Sequence, residues 1–243
     1  MRIRIGEIIP NTETPIGEGV TRPVLCVARV EGESVSVVAK RLDTQKIEAE
    51  CVCAAIMRHW GISVPEPVLL THPDGSMLFG SIDAGYPNLK HPLGIVDDLP
   101  EPALSLLKRR AAEVVCKWDD IGKAMVADEI VENGDRNLGN FLWDGEDGHA
   151  YIDHERTLGL FPFGLNAIAI LAVIAGEVEK TRMQAATFAY TGVPGHLAAL
   201  DPHPGLDFAW GVDFVVQRVQ SLGNKVIARF PQPRDLFSQN DDA

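Results

Sequence analysis

Residues 133–153 limit the folds open to this chain more than any other stretch. Two short apolar runs, at 141–143 and 150–152, flank the turn-forming sequence Asp-Gly-Glu-Asp-Gly at 144–148. Apolar strand residues on both sides of such a turn predict a β hairpin. The two ends of a hairpin lie side by side, so polar residues at these ends are expected to come together.

Three polar side chains lie at the ends of this hairpin. Asn140 opens the first strand and Asp153 closes the second, so we expect them almost opposite each other, with about 5 Å between their backbones. Carboxylate and amide oxygens at that separation suit Mg²⁺. Asp135 precedes Asn140 with the spacing of a kinase catalytic loop, which predicts a loop-borne base that accepts a proton from a hydroxyl. The alternative is that these residues only form turns.

The first 84 residues are expected to form a small lobe rich in β structure. A Glu-Gly-Glu turn at 31–33 separates two Val-rich runs, and a helical stretch without Pro or Gly follows, with Asp43 or Thr44 as its N-cap. The predicted strands cover 24–30, 35–40, 68–70 and 77–79, and the predicted helix covers 47–60.

Residues 85–243 are expected to form a larger and mostly helical lobe. The stretch 85–102 holds four prolines and two glycines, which is typical of a connection. The predicted helices cover 103–118, 119–133, 165–189 and 208–228, and the hairpin lies between the second and the third. The predicted fold class is therefore α+β, with a β-rich N-terminal lobe and a helical C-terminal lobe that carries the hairpin.

A strand-borne lysine and a helix-borne glutamate form a second candidate group. Lys40 ends the strand sequence Val-Val-Ala-Lys, and Glu50 lies in the helix that follows. This order is typical of an ion pair that positions the phosphates of ATP. Glu48 is the rival of Glu50 for that role. The candidate for a phosphate-covering loop is the Gly-x-Gly sequence within 16–22, and the chain has no Walker motif.

Composition argues against several classes of protein. The net charge is −12, with 34 acidic against 22 basic residues, which disfavours direct binding to nucleic acid. The four cysteines lack the spacing of a zinc site and are interpreted as structural thiols. The longest apolar run, 165–176, is about half of what a membrane span needs, and the polar start does not resemble a signal peptide. We therefore expect a cytoplasmic protein without a membrane span.

The sequence resembles the HipA-like kinase family, in a compact form, and more distantly the phosphatidylinositol kinases. The resemblance covers about residues 20–160 and depends on motifs in both predicted lobes. The motifs are Val-Val-Ala-Lys at 37–40, Gly-Ile-Ser-Val-Pro-Glu-Pro at 61–67, Phe-Gly-Ser at 79–81, Asn-x-Asp-Arg-x-x-Gly-Asn at 133–140 and Tyr-Ile-Asp-His at 151–154.

This resemblance implies a bilobal protein-kinase-like fold with ATP between the lobes. It also implies a role for each matching residue. Lys40 would contact the ATP phosphates with Glu50 as its ion-pair partner, Asp135 would be the catalytic base, Asn140 and Asp153 would bind Mg²⁺, and the backbone of Phe79, Gly80 and Ser81 would meet the adenine.

The combined pattern predicts an ATP- and Mg²⁺-dependent phosphotransferase whose acceptor is a Ser or Thr of a protein. Mg²⁺, Lys40 and Arg136 or a similar cation would neutralise the transferred phosphate. Three alternatives stay open: a small-molecule or lipid kinase, an inactive nucleotide-binding pseudokinase, and a metal-dependent hydrolase. Asn137 favours the pseudokinase, since HipA-like proteins and many lipid kinases have His there. The sequence identifies neither the acceptor nor a regulatory partner protein.

Overall fold

A computed structural model of the chain describes residues 1–16, 21–96, 98–192 and 200–231. The strands of its larger sheet are β1 (Arg4–Ile8), β2 (Thr14–Pro15), β3 (Val24–Val30), β4 (Glu33–Lys40), β5 (Pro67–Thr71) and β6 (Met77–Ile82). Their order is β1-β5-β6-β4-β3-β2, and β1 also pairs with β3, so five strands close into a barrel. The α+β class is as predicted, whereas the closed barrel was not predicted.

The β3–β4 hairpin lies where the sequence predicts it. Its two connecting residues, Glu31 and Gly32, both have positive φ angles, of 51° and 93°. Two successive residues with positive φ are typical of the tight turns that match the twist of antiparallel strands. Because the turn needs only these two residues, β4 begins at Glu33, two residues before the predicted start.

Strand β1 was missed by the sequence analysis. It lies between β5, to which it runs parallel, and β3, to which it runs antiparallel. Both neighbouring strands pair with β1 at Gly6, which lies opposite Leu70 of β5 and Val30 of β3. A Cβ atom on Gly6 would lie 2.9 Å from the Arg29 carbonyl oxygen and 3.2 Å from the Val30 Cα. A glycine here therefore lets the barrel close.

Seven α-helices occur in the described residues. The first begins after Asp43, whose carboxylate accepts a hydrogen bond from the Lys46 backbone N–H at 3.0 Å and so caps the helix. The helices are α1 (Thr44–His59), α2 (Ala103–Val115), α3 (Ile121–Ile130), α4 (Ala167–Ala175), α5 (Val178–Thr187), α6 (Ala209–Val216) and α7 (Val219–Ala228). None of them combines the length and apolar character that crossing a membrane requires.

Two of the predicted helices are each divided in two. The stretch predicted at 165–189 is broken at Gly176, which has a φ of 74° and ends α4. The Glu177 N–H reaches back to the Ala172 carbonyl at 2.9 Å, a common way for a helix to end at a left-handed glycine. The stretch predicted at 208–228 forms α6 and α7, which are separated at Gln217 and Arg218.

Two groups of buried apolar side chains hold the fold together. One fills the barrel and includes Ala28, Val37 and Leu70. The other is larger and packs α1 and the outer face of β5 and β6 against the helices that follow, so it contains residues from both sides of position 84. The core is therefore continuous across the predicted boundary, and the division into units 1–84 and 85–243 stays a prediction. All four cysteines are buried and unpaired.

Candidate active site

The predicted hairpin consists of β7 (Phe141–Trp143) and β8 (His149–Tyr151). Asp144 begins its turn and accepts hydrogen bonds from the backbone N–H groups of Glu146 and Gly148. At the other end the Ile152 N–H donates to the Asn140 carbonyl at 3.1 Å. Ile152 is thus the partner of Asn140, and Asp153 comes one residue later than the predicted register.

Asp153 leaves the strand in a left-handed conformation, with a φ of 70°. A positive φ is uncommon for a residue other than glycine, although Asp tolerates it better than most. The turn carries the chain away from the hairpin immediately after Ile152. As a result, the side chain of Asp153 meets Lys40 at the end of β4, with 2.7 Å between Oδ1 and Nζ.

Arg136 is buried and joins the hairpin to α3. Its guanidinium donates two hydrogen bonds to the Asp128 carboxylate, at 2.9 and 2.8 Å. Its Nη1 donates to the carbonyls of Asn140 and Ile152, at 3.2 and 2.7 Å. Since these donors are committed to partners in the interior, Arg136 is not available to neutralise a phosphate. The expectation from the sequence is corrected on this point: Arg136 holds the loop in shape.

The loop between α3 and the hairpin fixes the backbone of Asp135. The side-chain amides of Asn137 and Asn140 both donate to the Asp135 carbonyl, at 3.0 Å each. Asn137 also accepts a hydrogen bond from the Gly139 N–H at 2.8 Å. The carboxylate of Asp135 remains partly exposed, with 34 % of the side chain accessible, and Arg156 Nη1 lies 3.4 Å from it. Asp135 is therefore held by its backbone while its carboxylate faces outward.

Lys40 contacts three carboxylates, one on α1 and two in the segment that follows the hairpin. Its Nζ lies 2.9 Å from Glu50 Oε1, 2.7 Å from Asp153 Oδ1 and 3.5 Å from Glu155 Oε2. Burial alone would lower the pKa of Lys40, but the charges of Glu50 and Asp153 outweigh burial and raise that pKa above its ordinary value. The lysine is therefore held as an ammonium ion.

Glu50 and its rival Glu48 point to different surroundings. Burial would raise the pKa of Glu50, but Lys40 and His154 outweigh it and hold that pKa well below its ordinary value. Glu48 accepts hydrogen bonds from the Asp207 N–H and the Trp210 indole, both at 2.7 Å, at the start of α6. The helix α1 thus directs Glu50 to Lys40 and Glu48 to α6.

Glu155 was not identified from the sequence. One oxygen from each of Glu50, Asp153 and Glu155 lies within 4.8 Å of the others. Glu155 Oε2 is buried and has no hydrogen-bond partner among the described residues. Burial raises the pKa of Glu155; the charge of Lys40 opposes this rise, and the neighbouring carboxylates of Asp153 and Glu50 add to it. Its position two residues after Asp153 was the one available signal, and it is a weak one.

This cluster fits a hard divalent cation. Its donor set consists of carboxylate oxygens, which Mg²⁺ prefers in proteins. One of these oxygens, Glu155 Oε2, accepts no hydrogen bond from the described residues. The ammonium group of Lys40 lies 3.5 Å from it and also contacts Glu50 and Asp153. His154, between Asp153 and Glu155, is buried. Its Nδ1 lies 3.4 Å from Glu50 Oε2, and its Nε2 lies 3.2 Å from Arg136 Nη2. It therefore has structural partners on both sides.

The sequence also predicted an adenine contact at 79–81 and a phosphate-covering loop within 16–22. Phe79, Gly80 and Ser81 lie within β6 and pair with β4 on one side and β5 on the other. Their backbone groups are engaged in the barrel and are not free to bind a base, which corrects the expectation from the sequence. The Gly-x-Gly loop predicted within 16–22 cannot be compared, since residues 17–20 lie outside the described residues.

Comparison with known proteins identifies no family for this chain. No family model matches the sequence, and no curated protein matches it either. Among solved structures, the chain is similar to the crystal structure of a proinflammatory kinase, CtkA, from Helicobacter pylori. The TM-score is 0.47 and the identity 14 %, over 92 % of this chain and 94 % of the other. Similarity at this level establishes neither a shared family nor a shared activity, so the function is argued from the site.

Proposed function

We propose that this protein is an ATP- and Mg²⁺-dependent phosphotransferase that moves the γ-phosphate of ATP to a hydroxyl group, with Ser or Thr of a protein as acceptor. The observation that carries the proposal is the contact of Lys40 with both Glu50 and Asp153. It brings a strand lysine, a helix glutamate and a carboxylate after a hairpin into one cluster. This is the set of groups that kinases use to hold ATP phosphates and metal.

Lys40 and Glu50 are proposed to position the phosphates. An ammonium group kept charged by two carboxylates is suited to bind a polyanion. Glu50 is buried and also accepts the His154 backbone N–H at 3.0 Å, so it stays in place when Lys40 turns toward a phosphate. In this structure Lys40 also contacts Asp153. We infer that this second contact is exchanged for the phosphates when nucleotide binds.

Asp135 is proposed to be the catalytic base. Its backbone is fixed by Asn137 and Asn140, whereas its carboxylate is partly exposed and can accept the proton of an incoming hydroxyl. Arg156 lies beside that carboxylate and remains partly exposed, so it takes over the charge-neutralising role first expected of Arg136. A hydroxyl bound between these groups would face both a proton acceptor and a cation.

Asn140 and Asp153 are proposed to hold the metal ion. When bound, Mg²⁺ would neutralise charge on the phosphates and hold them in line for transfer. The adenine is proposed to contact the chain after Ile82, where β6 ends, because the backbone before that point is engaged in the barrel. Residues 83–88 have no strand partner along most of their length and lead directly to the hairpin.

The test compares phosphate transfer by the wild type and Asp135→Ala. Purified protein with Mg²⁺ and labelled ATP is expected to label itself or a cell lysate, and the substitution should lower the rate about 10²–10⁴-fold. Asp147→Ala is the matched control, because Asp147 is an exposed carboxylate at the hairpin turn. The proposal fails if the wild type transfers no phosphate to protein, or if both variants behave alike.

The same assay separates the alternatives for the acceptor. Label appearing on small molecules or lipids and not on protein would make the enzyme a small-molecule or lipid kinase. ATP–Mg²⁺ that stabilises the protein without any transfer would make it a pseudokinase. Asn137 is not by itself a sign of inactivity here, since its amide holds the Asp135 carbonyl and the following turn.

A further inference from the structure

We propose that Glu155 is a ligand of the divalent cation and forms, with Asp153, a site that binds the metal before nucleotide arrives. The inference deepens the proposed function and rests on it only in placing the cation beside Asp153. It adds a residue for which the sequence predicted no role. It also predicts a property, metal binding by the free protein, that does not require phosphate transfer.

The first argument is the environment of the Glu155 side chain. The residue is 7 % exposed, and its Oε2 has no hydrogen-bond partner among the described residues. A buried carboxylate oxygen that accepts no hydrogen bond is costly, and native proteins seldom keep one unless a ligand or ion completes it. Oε2 lies 3.5 Å from the same Lys40 Nζ that contacts Glu50 and Asp153, and one carboxylate oxygen of Glu155 lies within 4.8 Å of oxygens from those two residues.

The second argument is the difference between the two buried glutamates of the cluster. Glu50 uses one oxygen for Lys40 and the other for the His154 N–H, so neither is free for an ion. Glu155 approaches Lys40 only at 3.5 Å, beyond a good hydrogen-bond distance. Of the two, Glu155 is therefore the one with a coordination position to offer.

The third argument is charge. Three carboxylates face the single ammonium group of Lys40, whose Nζ lies within 3.5 Å of all three. A cation thus already occupies the space between them, although its charge does not balance theirs. When Lys40 turns toward a phosphate, as proposed above, the carboxylates of Asp153 and Glu155 would be left without a counter-ion. A divalent cation meets that need, and buried charges are stable only when paired or bound to metal.

The experiment measures Mn²⁺ binding to the purified full chain by electron paramagnetic resonance, in the absence of nucleotide. Glu155→Gln keeps the size of the side chain and removes its charge, and it should weaken Mn²⁺ binding about 10-fold or more. Glu155→Asp, which keeps the carboxylate but shortens its reach, should lose less. Glu48→Gln is the matched control, because Glu48 is equally buried at 7 % but faces α6 instead of the cluster.

Circular dichroism and urea unfolding verify that each variant is folded before its metal affinity is compared. The proposal is overturned if the wild type does not bind Mn²⁺, or if folded Glu155→Gln binds it as the wild type does. Asp135→Ala separates this inference from the proposed function: it should lose phosphate transfer but keep Mn²⁺ binding. Transfer that needs Asp135 together with unchanged metal binding in Glu155→Gln would leave the phosphotransferase proposal standing and remove only this one.

Discussion

Lys40 is the residue on which the electrostatic balance of the site depends. Replacing it with Met would remove the ammonium group that contacts Glu50 and Asp153. Removing one partner of a buried ion pair leaves an uncompensated charge, so we expect Lys40→Met to lower the free energy of unfolding by about 3–5 kcal/mol. Urea denaturation at neutral pH measures this change.

The double substitution Lys40→Met with Glu50→Gln provides the check. If the loss comes from the stranded carboxylate of Glu50, the second change should restore part of the stability. Lys46→Met is the control, because Lys46 is an exposed lysine paired with Asp43 and should have little effect. A stability of Lys40→Met equal to that of the wild type would show that the carboxylates do not depend on this lysine.

The sequence could predict residue types at the site better than their surroundings. Asp135, Asn140 and Asp153 follow a local pattern, so their spacing alone made them candidates. The choice between Glu48 and Glu50 depends on where α1 lies relative to β4, which no local pattern contains. The sequence also does not show which of the charged side chains are buried. The sequence offered Arg136 or a similar cation as a phosphate ligand, and it did not show that Asp128 on α3 holds Arg136 in the interior.

Among the secondary-structure elements, β1 closes the barrel, because it pairs with β5 on one side and with β3 on the other. We expect Gly6→Ala to destabilise the fold by about 1–3 kcal/mol, since the added Cβ would meet backbone atoms of β3 that cannot move away without opening the barrel. Thermal or urea unfolding measures the effect. Gly164→Ala is the matched control, because no atom lies within 4 Å of the added Cβ there. Equal stability of both variants would contradict the tight approach.

Elements with strong local signals were predicted, and those defined by distant partners were not. The Val-rich strands β3 and β4 and the uninterrupted helix α1 agree with their predictions to within a few residues. Strand β1 was overlooked because one of its exposed positions is the apolar Ile5 and one of its buried positions is Gly6, so the sequence does not show the usual alternation of apolar and polar residues. A single Gly176 within a long apolar stretch did not outweigh the helical periodicity, although its left-handed conformation ends α4.

At the scale of the whole molecule, the site brings together barrel strand β4 and helix α1 with the hairpin, which comes much later in the sequence. Lys40 ends a barrel strand, Glu50 lies on α1, and Asp153 and Glu155 follow the hairpin. Closure of the barrel and convergence of these groups both depend on long-range pairing, which local propensity does not encode. The sequence could therefore indicate the chemistry of the cluster but not its third carboxylate, and it could indicate an α+β fold but not a barrel.

Because the site spans these distant parts, a ligand bound there should stabilise the entire fold. A ligand that binds only the folded chain at 100 times its dissociation constant adds about 2.7 kcal/mol to the free energy of unfolding. We expect ATP with Mg²⁺ to produce a shift of this kind in the wild type. Asp135→Ala should show the same shift, because the carboxylate that it removes is proposed to act on the acceptor and not on ATP. Lys40→Met should lose most of it, because the phosphates lose their cation. Urea unfolding with and without ATP–Mg²⁺ measures these differences, and a wild-type protein that ATP–Mg²⁺ does not stabilise would contradict nucleotide binding at this cluster.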